Sequence, residues 1–71
     1  MEKLETFTEV LLSLKDKEVL TTNKKDRYIL KKDKIYVYRE GTSFVLTLED
    51  FRDLYQEKTF FVFKEEGAYI D

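Results

Sequence analysis

The stretch Arg27-Tyr28-Ile29-Leu30-Lys31-Lys32-Asp33-Lys34-Ile35-Tyr36-Val37-Tyr38-Arg39-Glu40-Gly41-Thr42-Ser43-Phe44-Val45-Leu46-Thr47 decides the fold of this chain. Its apolar residues alternate twice over. Read as strands, Tyr28, Leu30, Ile35, Val37, Phe44 and Leu46 share one face. Ile29, Tyr36, Tyr38 and Val45 share the other, with Arg27 and Lys31 among them. Successive strand side chains point to opposite sides of a sheet, so this spacing predicts antiparallel strands. Asp33-Lys34 and Gly41-Thr42 are expected as two-residue turns, with glycine supplying a positive φ. On that register Leu30 faces Val37 and Val37 faces Leu46, while Ile29 faces Tyr38 and Tyr38 faces Val45. A small antiparallel sheet needs one apolar face for its core, so a second, half-apolar face calls for a partner.

Downstream, Thr47-Leu48-Glu49-Asp50 has the shape of a helix start. Thr47 is placed to cap the first amides, and Asp50 to reach back as the second half of a capping box. Leu46 before the cap and Phe51 after it fit a hydrophobic staple. Leu48, Phe51, Leu54 and Tyr55 are the expected buried stripe of a short helix ending near Glu57. Thr59-Phe60-Phe61-Val62-Phe63 is apolar on both faces and reads as a central strand. Glu65-Glu66-Gly67 then turns toward Ala68-Tyr69-Ile70 as a hairpin partner.

Upstream, Leu4, Phe7, Val10, Leu11 and Leu14 follow the i, i+3, i+4 spacing of one helical face. Early glutamates and late lysines suit the helix dipole, so a helix is expected over 2–15. Glu18 to Thr22 is a short β-type run, and Asn23-Lys24-Lys25-Asp26 a polar turn. The expected whole is a single small α+β domain over 1–71. Its sheet is an antiparallel meander packed with an N-terminal helix and a second short helix, in the order α-β-β-β-β-α-β-β.

Composition narrows the function. Hydrophobic residues make up 42% of the chain, too many for a disordered segment, and six Phe with five Tyr point to a core built on rings. There is no Cys and no His. That removes disulfides, thiolate metal sites, the usual general base and any Ser-His or Cys-His nucleophile within the chain. No apolar run approaches the roughly 20 residues of a membrane span, and the start lacks the pattern of a signal peptide, so a cytoplasmic location is expected. Residues 24–39 carry seven basic and two acidic groups, whereas the remainder carries six basic and 13 acidic. The chain is an acidic body with a basic middle.

Three readings follow. The first is a non-enzymatic module that binds another protein, or a second copy of itself, through Ile29, Tyr36, Tyr38 and Val45. Tyrosine favours interfaces because it offers area and a polar tip at low entropic cost. The second is a nucleic-acid-binding module using Arg27, Lys31, Lys32, Lys34 and Arg39. The third is a small acidic inhibitor that occludes a larger enzyme. The carboxylates Glu49, Asp50 and Asp53 are explained by the helix dipole, so no catalytic residue, metal or cofactor is expected.

Overall fold

The computed structural model describes residues 2–63. Its elements are β1 (Glu2–Leu4), α1 (Phe7–Lys15), β2 (Leu20–Thr21), β3 (Arg27–Lys31), β4 (Lys34–Arg39), β5 (Thr42–Thr47), α2 (Leu48–Tyr55) and β6 (Phe60–Val62). The six strands form one antiparallel sheet in the order β1-β6-β2-β3-β4-β5. The protein is therefore α+β, with β2 to β5 running as sequence neighbours and β6 inserted between β1 and β2. The expected hairpin partner at Ala68-Tyr69-Ile70 lies outside the described residues.

The central hairpins keep the predicted faces but not the predicted partners. Leu30 pairs with Ile35, Tyr28 with Val37 and Ile29 with Tyr36. Across the next ladder Val37 meets Phe44, Tyr36 meets Val45 and Tyr38 meets Ser43. The turns are Lys32-Asp33 and Glu40-Gly41, each one residue earlier than expected. Lys32 and Asp33 both take positive φ, 51° and 66°, and Gly41 takes 80°. Two consecutive left-handed residues make the primed turn that matches strand twist. Moving a two-residue turn by one position shifts the pairing by two, so every side chain stays on its face.

The N-terminus departs from the periodic reading. Glu2–Leu4 is a strand paired with Phe60–Val62, not the first turn of a helix. The helix begins after Thr6, whose hydroxyl accepts from the Glu9 amide at 3.2 Å. The Glu9 carboxylate in turn accepts from the Thr6 amide at 3.1 Å, and from that of Glu5 at 2.7 Å. This complete capping box stops the helix from extending backward. Leu4 fell on the helical face by coincidence of spacing. At α2 only half the box forms: Thr47 accepts from the Asp50 amide at 3.0 Å, with no return bond from Asp50 among the described residues.

Both helices pack on one face of the sheet. Val10 and Leu14 of α1 and Phe51 and Tyr55 of α2 are buried with Leu20, Tyr28, Ile35, Val37, Phe60 and Val62. The rings of Phe7, Tyr28, Phe51, Tyr55 and Phe60 form a continuous cluster, with tilted and edge-on pairs such as Tyr28–Phe60 at 5.0 Å and Phe7–Phe51 at 5.6 Å. Leu54, expected in the buried stripe, is 63% exposed. With Phe51 and Tyr55 aimed at the sheet, a residue at position 54 points about 80° away from their mean direction at about 100° per residue. As predicted, β6 is an interior strand. Phe60 and Val62 are buried toward the helices, while Phe61 and Phe63 are half-buried on the opposite face.

Candidate functional site

The face opposite the helices carries the predicted interface residues. Ile29, Tyr36 and Val45 are directly cross-strand neighbours on β3, β4 and β5. Tyr38 stands two residues farther along β4, opposite Arg27 on one side and Ser43 on the other. Ile29 and Tyr36 are half-buried, whereas Tyr38 is 41% and Val45 49% exposed. The buried apolar residues of both helices, Val10 and Leu14 of α1 and Phe51 and Tyr55 of α2, belong to the other side.

The basic residues divide. Lys31 and Lys34 lie on the same outer face and directly oppose each other at the end of the β3–β4 hairpin, with Lys32 in the turn between them. The Lys31 ammonium sits 5.7 Å from the Tyr36 ring centroid. Arg27 is also on this face, but its guanidinium is occupied. It lies 3.6 Å from the Phe63 ring centroid and donates to the carbonyls of Lys24 and Asp26 at 3.0 and 2.9 Å. Arg39 is on the helix side. It donates to the Tyr55 hydroxyl at 2.9 Å and lies over the Phe44 ring. The five cations grouped by sequence are thus three lysines at one end of the sheet, one arginine held in place, and one arginine on the opposite face.

Sequence reasoning missed two features. The first is a buried carboxylate. Asp26, read as a turn residue, is 5% exposed and accepts hydrogen bonds from the Thr21 hydroxyl at 2.8 Å, the Thr22 amide at 2.8 Å, the Thr22 hydroxyl and the Tyr28 hydroxyl at 3.0 Å. Burial works against its charge, but the hydrogen bonds from Thr22, Thr21 and Tyr28 outweigh it and hold the carboxyl below its ordinary range. The Tyr28 hydroxyl is pushed up to about 12, first by burial and then by the Asp26 carboxylate, against an opposing pull from Arg39. A tyrosine assigned to the core face needs a partner for its hydroxyl, and that requirement was the signal available in sequence. With four donors on its two oxygens, Asp26 ties the 22–26 loop to the sheet.

The second missed feature is a contribution from α1. A groove of roughly 540 Å³ joins Ile29, Tyr36 and Tyr38 to Lys15 and Lys17 at the end of that helix, and to Lys31 and Lys32. β2 pairs with β3 only at Tyr28, so beyond that point the margin of β3 is free of sheet neighbours and the helix end lies beside it. Nothing in the spacing of residues 15 and 31 announces this contact.

Among the described residues no group of three or more Asp or Glu is close enough to hold a metal ion, and no helix is long and apolar enough to cross a membrane. The fold and surface together define a six-stranded antiparallel sheet with two helices on one face and a tyrosine-bearing, lysine-rimmed face on the other. Compared with known protein families, curated proteins and solved structures, the chain matches none.

Proposed function

We propose that this chain is a small non-enzymatic binding module of the cytoplasm that docks a partner protein on the outer sheet face, with Tyr36 and Tyr38 at the centre and Ile29 and Val45 beside them. One observation carries the reading. Ile29, Tyr36 and Val45 form a single cross-strand row with Tyr38 next along, on the face opposite the core that the helices fill. An apolar and aromatic row on a sheet whose core is already filled from the other side has little use in stability and suits contact with another surface. Docking of a second copy is the simplest form. The nucleic-acid alternative draws less support from the geometry, because Arg39 stands on the opposite face and Arg27 is already engaged.

The test compares wild type with Tyr38→Ala in a pull-down from native cell extract, together with the light-scattering mass of the pure proteins. Loss of a captured protein, or a fall in mass, is the expected result, because buried aromatic anchors carry much of an interface's energy. An unchanged mass and an unchanged set of captured proteins would end the reading.

A further inference from the structure

We infer that the groove beside the outer face accepts an acidic segment of the partner: an extended stretch of protein with carboxylates flanking an apolar or aromatic side chain. The inference rests on the docking role proposed above and names the chemistry of its partner.

Charge is the first argument. The chain as a whole is acidic, at net −2, yet the groove is rimmed by Lys15, Lys17, Lys31 and Lys32 against the single carboxylate of Asp33. All four lysines are exposed. Cations drawn from two distant segments and gathered on an acidic body make a local positive potential that attracts anionic groups.

Register is the second. Lys31 and Lys34 stand directly opposite each other across the hairpin. Like charges in that position repel and weaken the strand pair. Lys32, at φ 51°, adds a third charge in a turn position that asparagine or glycine would hold more easily. All three lysines are exposed, and an anionic partner relieves the repulsion on binding.

The floor is the third. Ile29, Tyr36 and Tyr38 give the groove an apolar base, so a purely polar anion leaves that base unused. The same floor separates a protein segment from single-stranded nucleic acid. Base stacking needs successive open rings. Tyr36 is half-buried with the Lys31 ammonium over its face, so Tyr38 is the one open ring of the two.

The experiment is titration of the full chain, at low salt, with a short peptide carrying glutamates around one phenylalanine. Its glutamine counterpart and an oligo-dT strand serve as the other two probes, and backbone amide shifts are the readout. The glutamate peptide is expected to bind, to move amides at Lys15, Lys17, Ile29, Lys31, Tyr36 and Tyr38, and to weaken as salt is raised. The double variant Lys15→Glu/Lys17→Glu is expected to lower its affinity about tenfold or more while leaving the amide spectrum folded. Lys15→Gln/Lys17→Gln should give a smaller loss. Equal binding of the glutamine peptide, tighter binding of oligo-dT, no binding by the glutamate peptide, or indifference to the double charge reversal each overturns the inference. If Tyr38→Ala removes the native partner while the charge reversals do not, the docking face stands and its partner is not acidic.

Discussion

The two faces of the β3–β5 sheet are made from alternate residues of the same three strands, and they have opposite fates. Tyr28, Ile35 and Val37 are sealed at 1% exposure or less, whereas Tyr38 and Val45 remain 41% and 49% exposed. Hydrophobicity alone does not explain the difference, since Val37 and Val45 are the same residue type. The helices make it: Phe51 and Tyr55 of α2 and Val10 and Leu14 of α1 all lie against one side. Alternation sorts side chains into two sets, and the crossover helices then choose which set becomes the core.

Substitutions that treat the two faces alike should have unequal effects. The largest is expected at Phe51→Ala, which empties the middle of a five-ring cluster. It should cost about 3–5 kcal/mol in denaturant unfolding, against no more than about 0.5 kcal/mol for Val45→Ala on the outer face. Comparable losses at both sites would mean that the outer face is packed in solution.

Next comes Asp26, just before β3, whose carboxylate accepts from the core-face Tyr28 hydroxyl. Asp26→Asn replaces an acceptor of four hydrogen bonds with a group that offers one acceptor oxygen and brings its own donors, at an expected cost of about 1–3 kcal/mol. The change should also reshape the pH profile. Asp26 has a lowered folded pKa, so its contribution is present above the ordinary carboxylate value of 3.8 and is lost as pH falls through the folded value. Tyr28 has a raised one, so its contribution is present below 10.0 and is lost as pH rises toward about 12. Thermal unfolding of wild type should therefore show an acid and an alkaline decline. The acid one should shrink in Asp26→Asn.

The helix caps give smaller effects. Thr6→Ala and Thr47→Ala should each destabilise by about 1 kcal/mol, with Thr6→Ala the more costly because it breaks a two-sided box. An equal or reversed order would show that the Glu9 return bonds add nothing in solution. The smallest change in stability is expected at Tyr38→Ala, within about 0.5 kcal/mol. That variant should lose partner binding while unfolding at nearly the wild-type denaturant concentration.

The central strands were legible because a period of two survives error. Turns expected at Asp33-Lys34 and Gly41-Thr42 lie one residue later than the observed Lys32-Asp33 and Glu40-Gly41, and every face assignment from Tyr28 to Leu46 still holds. Thr47 as a cap and Phe51 as a buried residue of α2 are equally readable, because the cap and the helical stripe are local signals. The N-terminal strand was not. Leu4, Phe7 and Val10 satisfy a helical stripe, and the pairing of Glu2–Leu4 with a strand nearly sixty positions later takes Leu4 out of it. The Thr6–Glu9 box was a local signal that the periodicity overrode. Of the candidate site, Ile29, Tyr36, Tyr38 and Val45 came out together because strand parity groups them. Charge clustering along a chain ignores parity, so it groups Arg39 with cations that stand on the opposite face.

The sequence by itself determined that this is an α+β chain with an antiparallel sheet, which side chains share a face, and where α2 begins. These follow from interactions within a few residues or from a strict alternation, and both are written along the chain. Only the tertiary structure decided which face the helices cover, that β6 enters between β1 and β2, that Asp26 is buried under Tyr28, and that Lys15 and Lys17 join Lys31 and Lys32 around one groove. Those outcomes depend on how separate amphipathic elements exclude water together, a property of the assembled surface that no single segment carries.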